Sequence, residues 1–122
     1  HALLGITSQE KLLSNPKLGD SYEGFVIENL ASVAGDGVEL YFYRTAAGAE
    51  IDLLISTPAG LIAIEIKRST APKVSRGFHV ACEDLQPSRR LVVYPGDEVF
   101  PIGNAIEAVS LHRAMEIVAS AW

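Results

Sequence analysis

The sequence predicts an α/β domain: a central mixed sheet, made of an antiparallel three-strand meander plus further strands, flanked by helices. Three observations carry that prediction. The hydrophobic period switches from helical to strand-like after Gly35-Asp36-Gly37. Three β-rich runs then follow with only short turn sequences between them. A later apolar run, Leu91-Val92-Val93-Tyr94, has the unbroken character of a buried central strand added in parallel after a crossover helix. A chain of 122 residues, 48% of them hydrophobic, suits one domain with one core.

Taken in order, Thr7-Ser8-Gln9-Glu10 sets a cap residue three places before Glu and predicts a short helix over 9–14, ended by Asn15-Pro16. Asp20-Ser21-Tyr22-Glu23 repeats that signal and opens a longer helix to about residue 34, stopped by Gly35-Asp36-Gly37. Residues 38–45 are rich in β-formers, Ala46-Ala47-Gly48 turns the chain, 49–56 forms a second strand, Thr57-Pro58-Ala59-Gly60 a tight turn, and 61–67 a third strand. Pro72 and Gly77 mark a loop, 78–85 a short helix closed by Pro87, and 99–102 a further strand. Leu111, Met115 and Val118 recur at helical spacing, so 110–120 predicts a final helix packed on the sheet.

Composition narrows the function. Every hydrophobic stretch is broken by a charge, Gly or Pro well short of the roughly 18 residues that cross a bilayer, so no membrane span is expected. The opening His-Ala-Leu-Leu-Gly-Ile has neither a signal-peptide pattern nor an initiating Met, and a fragment of a longer chain is expected. The single cysteine, Cys82, forms no internal disulfide and reads as a small core residue in a reducing, cytoplasmic protein. A net charge of -5 argues against a general nucleic-acid coat. Between residues 67 and 90, however, six basic residues against two acidic leave +4, while the remainder, four against thirteen, carries -9. Arg68, Lys73, Arg76, Arg89 and Arg90 are therefore the expected contacts to a nucleic-acid backbone, with solvated loop charges as the alternative.

The chemistry sits in the second and third strands. Strict alternation groups Glu50, Asp52 and Leu54 on one face and Ile51, Leu53 and Ile55 on the other. In the next strand it groups Ala63, Glu65 and Lys67 opposite Ile62, Ile64 and Ile66. A four-residue turn sets Ser56 opposite Leu61, hence Asp52 opposite Glu65 and Glu50 opposite Lys67, with Cβ atoms about 4.5–5.5 Å apart. Two carboxylates that close repel unless a cation lies between them, and hard oxygen ligands suit Mg2+. Lys67 on the same face would orient or deprotonate an attacking water and offset phosphoryl charge. The alternative is a solvated strand face with a Glu50–Lys67 pair. In the preceding helix, at about 100° per residue, Tyr22, Phe25, Val26, Ile27, Leu30, Val33 and Ala34 form an apolar arc that includes Glu23, while Glu28 points away. Glu23 is then either a fourth site residue or a capping-box partner of Asp20.

A helix bearing an acidic residue, then Asp52, then Glu65-Ile66-Lys67, resembles the PD-(D/E)XK nuclease superfamily. The surrounding text is more specific. His-Ala-Leu-Leu-Gly-Ile, Pro-Lys-Leu-Gly-Asp-Ser-Tyr-Glu-Gly-Phe-Val-Ile-Glu-Asn, Tyr-Arg-Thr-Ala-Ala-Gly-Ala-Glu-Ile-Asp-Leu and Ile-Ala-Ile-Glu-Ile-Lys-Arg-Ser resemble the C-terminal domain of a family of prokaryotic P-loop ATPases. Tyr22 stands where that family usually has Trp, and Asn15 where it commonly has His. The resemblance implies a restriction-endonuclease-like fold with Asp52, Glu65, Lys67 and Glu23 as the catalytic set. It also implies Mg2+ or Mn2+ held by Asp52, Glu65 and Glu23, DNA as substrate, and an N-terminal ATPase domain on the same parent chain. A non-catalytic interaction module on the same fold is the alternative. These residues contain no Gly-x-x-x-x-Gly-Lys-Ser/Thr, so no ATP site is expected here. His1, His79 and His112 are scattered, and no serine has a Gly-x-Ser-x-Gly context, so neither a histidine metal site nor acyl transfer is expected.

Overall fold

Ser21 caps the first helix in the computed structural model, which describes residues 21–121; the helix expected over 9–14 lies outside them. The Ser21 hydroxyl accepts the Gly24 N–H at 2.9 Å, and α1 runs Tyr22–Ser32. With the cap at Ser21, Glu23 is the second helical residue and not the third, so it is not placed to complete a box with Asp20. The inward face also differs from the expected arc. Gly24, Val26, Ile27, Leu30 and Ala31 are buried, whereas Phe25 is 54% exposed. A seven-residue arc is wider than the strip one sheet covers, and the sheet takes the strip that leaves Phe25 and Glu23 outside.

The meander forms as expected, with β1 (Glu39–Arg44), β2 (Glu50–Thr57) and β3 (Gly60–Ile66) paired antiparallel. Ser56 faces Leu61, and Thr57 faces Gly60 around a Pro58-Ala59 tip. Gly60 takes φ +134°, a conformation open to glycine but strained for a residue with a Cβ. A second helix, α2 (Arg76–Leu85), crosses over to β4 (Arg89–Val93), which pairs parallel with β3. The fifth strand, β5 (Phe100–Gly103), pairs antiparallel with β6 (Ile106–Val109), which lies parallel to β4. The sheet order is β1-β2-β3-β4-β6-β5. The chain continues into α3 (Leu111–Ala119), capped by the Ser110 hydroxyl. Strand β6 is absent from the sequence reading because its turn is disguised. Asn104 and Ala105 both take positive φ, 54° and 62°, as in the tight hairpin turns that normally advertise themselves with glycine at the second position.

Helices cover both faces of the sheet. On one, α1 and α3 bury Val26, Ile27, Leu30, Ala114, Ile117 and Val118 against Leu53, Ile55, Ile62, Ile64, Leu91 and Val93. On the other, α2 buries Phe78, Ala81 and Cys82 against Tyr43, Ile51, Leu54, Ala63, Val92 and Ile106. Ile51 therefore shares a core with Leu54, not with Leu53 and Ile55 as strict alternation requires. The cause is a β-bulge: Tyr41 pairs with Leu54 but Tyr43 with Ile51, so Asp52 and Leu53 together face Phe42. None of the described helices is long and apolar enough to cross a membrane.

The start of α2 lies hard against the β1–β2 turn. A Cβ on Gly77 would stand 2.7 Å from the Gly48 carbonyl oxygen, a backbone atom that cannot swing aside. Alanine would gain helix propensity of at most about 1 kcal/mol, less so in the first turn, against an overpacking penalty of about 1–3 kcal/mol. Gly77→Ala is expected to lower the urea unfolding midpoint; an unchanged or higher midpoint would mean that α2 has room to shift.

Candidate functional site

The bulge in β2 and the end of β3 create the site. Regular β2–β3 pairing runs from Thr57↔Gly60 to Leu53↔Ile64. Past that point the Asp52 side chain takes over: its Oδ2 accepts the Ile66 N–H at 2.8 Å. Asp52 is partly buried, and its carboxyl is pushed up to about 6. Burial is the main cause; the Ile66 hydrogen bond opposes it, and the charges of Glu23, Glu65 and Glu50 add to it. Asp52 thus lies within electrostatic reach of both Glu23 and Glu65. Glu23 is exposed, yet partial desolvation and the Glu50 charge raise its carboxyl too, against the lowering effect of Arg44.

Glu65 is buried at 4% exposure, the only buried charged side chain among the described residues. Its Oε1 and Oε2 accept the Ser75 N–H at 2.9 and 3.2 Å, and Oε2 also accepts the Ser75 hydroxyl at 2.8 Å. The Ser75 Oγ in turn accepts the Phe78 N–H at 3.2 Å and caps α2. Ser75 was invisible in the sequence reading because the helix was expected to begin at Phe78. A serine three places before Phe78 is the capping signal that could have revealed it.

Lys67 continues β3 beside β4 through its N–H, which donates to the Val93 carbonyl at 2.9 Å. With Ser21, Tyr22, Glu23, Ile66 and Arg68 it lines a cleft of about 380 Å³ between the start of α1 and the end of β3. The expected Glu50–Lys67 pair does not form. Glu50 lies opposite Arg44 across β1 and β2 and makes an exposed ion pair with it at 3.1 Å. Among the described residues no three carboxylate, imidazole or thiol groups converge closely enough to enclose a cation as they stand.

The basic set divides in two. Arg68 and Lys73 are exposed on the segment joining β3 to α2, and Arg76, also exposed, opens the helix. Arg89 and Arg90, expected to continue that surface, open β4 opposite Ile62 and Ala63. Glu65 is level with Val92, three places further on, so Arg89 starts about 10 Å from the site along the strands. Arg89 pairs with Glu107 at 3.4 Å and Arg90 donates to the Asn104 carbonyl at 3.3 Å. Both line a separate cleft with His79 and Glu83. The reason is topological: a parallel crossover returns the chain to the opposite end of the sheet.

The Asp52 geometry has a pH signature. Its carboxyl holds its proton to about pH 6 when folded, against 3.8 ordinarily, so the fold favours the neutral acid. The associated stability is present below pH 3.8 and is lost as pH rises to about 6, with a loss on the order of 3 kcal/mol at about 1.4 kcal/mol per unit. Asp52→Asn keeps an acceptor for Ile66 and carries no charge. In metal-free buffer it is expected to unfold at higher urea than wild type at pH 8, with the gap closing by pH 4. Equal midpoints at pH 8 would mean that Asp52 is well solvated.

Comparison with known proteins places the chain in a family. An uncharacterised protein of Mycobacterium tuberculosis and one of Mycobacterium bovis are each 43% identical to it over 109 residues, 89% of this chain and 24% of the relative. The chain thus spans about a quarter of the length of these curated relatives. No solved structure matches it. The family model for a domain of unknown function, DUF4143, matches residues 18–114, and the chain belongs to that family.

Proposed function

We propose that this domain is a nuclease unit of restriction-endonuclease-like fold that uses Mg2+ or Mn2+ to hydrolyse DNA phosphodiester bonds. One observation carries the reading: a half-buried Asp52 whose carboxyl is pushed up to about 6 amid the charges of Glu23, Glu65 and Glu50. Strongly perturbed carboxylates of this kind gather where function requires them. The antiparallel meander, crossover helix and parallel fourth strand support the fold assignment.

In chemical kind the donors fit a hard divalent cation. Mg2+ takes one or two protein carboxylates and keeps several waters, so Asp52 and Glu65 would hold it, with Glu23 reaching it through water. When bound, the ion supplies Lewis-acid stabilisation of charge on the phosphoryl oxygens in an in-line displacement. Asp52 is largely ionised at neutral pH, so it offers its oxygens there and withholds them in acid. Lys67 makes no ion pair among the described residues, which leaves it to orient the attacking water and to offset phosphoryl charge. Arg68, Lys73 and Arg76 flank the site as contacts to the DNA backbone. In the relatives this region is 24% of a longer chain, and the resemblance to ATPase C-terminal domains makes a P-loop ATPase domain the proposed partner. That no three carboxylate, imidazole or thiol groups converge to enclose a cation among the described residues favours the second reading, a non-catalytic interaction module on the same fold.

Calorimetry with Mn2+ and a DNA cleavage assay separate the two. Asp52→Ala is expected to lose both binding and cleavage, and Lys67→Ala to bind Mn2+ yet lose cleavage, since lysine does not ligate these ions. Cleavage by Asp52→Ala at the wild-type rate, or none by wild type with either metal, would favour the interaction module. Reversing Lys73 and Arg76 together should weaken DNA binding and reduce the salt slope by about 2, whereas reversing Arg89 and Arg90 should do much less. Equal effects from the two pairs would displace the proposed DNA path.

A further inference from the structure

The Glu-x-Lys motif names Glu65 but not what aims it. Among the described residues every hydrogen bond to the Glu65 carboxylate comes from Ser75: two from its backbone N–H, at 2.9 and 3.2 Å, and one from its hydroxyl, at 2.8 Å. A hydroxyl has one proton and two lone pairs. In Ser75 the proton is spent on Glu65 Oε2, and a lone pair receives the Phe78 N–H. The rotor is therefore held from both sides, and the carboxylate with it. Glu65 is 4% exposed, whereas Ser75 reaches the surface, so the serine carries the hydrogen bonding of a buried carboxylate out to an exposed segment.

Resting on the cation-binding reading above, we propose that Ser75 is the positioning residue of the site, fixing the Glu65 carboxylate for the ion while it caps α2. Carboxylates that bind metal ions are themselves held by hydrogen bonds, and removal of such a partner weakens metal affinity by roughly 10- to 100-fold. One hydroxyl then joins three features: the site carboxylate, the start of α2, and the basic segment that ends at Arg76.

The capping role and the positioning role are separable. Glycine is nearly as good a cap as serine but has no hydroxyl, threonine keeps both functions, and α3 supplies a control cap away from the site. There the Ser110 hydroxyl accepts the Arg113 N–H at 3.1 Å. Mn2+ affinity is measured by calorimetry on folded wild type, Ser75→Gly, Ser75→Ala, Ser75→Thr and Ser110→Ala, with folding checked by circular dichroism. The expected result is binding weakened about 10-fold in Ser75→Gly and Ser75→Ala, the lower end of that range because the backbone N–H remains, near wild type in Ser75→Thr, and unchanged in Ser110→Ala despite its lower stability. Ser75→Gly remains informative if Ser75→Ala does not fold. Wild-type affinity in Ser75→Gly, or an equal loss in Ser110→Ala, overturns the positioning role and leaves the cation reading intact. Absence of Mn2+ binding in wild type removes the cation reading itself, and this inference with it.

Discussion

A carboxylate withdrawn from water must find donors inside the protein, and at Glu65 that requirement organises the chain around it. The donors come from Ser75, ten residues downstream. Because the same hydroxyl caps α2, the need of one buried charge also decides where the helix begins. A helix beginning there carries Phe78, Ala81 and Cys82 onto the face of β2, β3 and β4 that α1 and α3 leave open. Burial of a side chain the size of Phe78 contributes about 1.5–3 kcal/mol toward holding the crossover down. The chain then re-enters the sheet as β4, parallel to β3, and the β5–β6 pair is added outside it. Charge, cap, helix and topology follow from one another in that order.

Asp52 presents the opposite case. The bulge that sets it beside Leu53 opposite Phe42 draws it off the ladder, and its side chain completes the pairing by taking the Ile66 N–H. That single bond opposes burial and three negative neighbours, and it does not prevail, since the carboxyl ends at about 6. A neutral side chain could accept the same N–H without this penalty. Glu65 accepts three hydrogen bonds from Ser75 in its buried place, whereas Asp52 accepts one and lies amid negative neighbours. The second kind of position costs stability, and on the proposed reading it is kept for function.

What could be read from sequence follows from how local each signal is. Alternation and turn residues located β1, β2 and β3 to within a residue or so, set Ser56 against Leu61, and found β4 and α3. Local spacing does not reveal a bulge, so Ile51 was assigned to the wrong core. It also does not reveal which slice of an apolar arc meets the sheet, so Phe25 and Glu23 were turned inward. A hairpin turn without glycine, Asn104-Ala105, hid β6. Within the site, Asp52, Glu65 and Lys67 announced themselves by residue type. Ser75 did not, because its part depends on a contact ten residues away that exists only once β3 and α2 are packed.

The linear basic run was misleading for a related reason. Residues close in sequence were separated when the crossover carried Arg89 and Arg90 to the far end of the sheet, where Glu107 and the Asn104 carbonyl partly neutralise them. Lys67, Arg68, Lys73 and Arg76 remain together beside the site, without ion pairs among the described residues. In a chain of net charge -5, a polyanion is repelled on average, and repulsion is felt over roughly 8–10 Å at ordinary salt. The favourable approach is then the one that brings phosphates first to the 67–76 segment, a few residues from Asp52 and Glu65. On the proposed reading this domain gains orientation from its own charge, because the edge beside Asp52 and Glu65 is the one that does not turn a nucleic acid away.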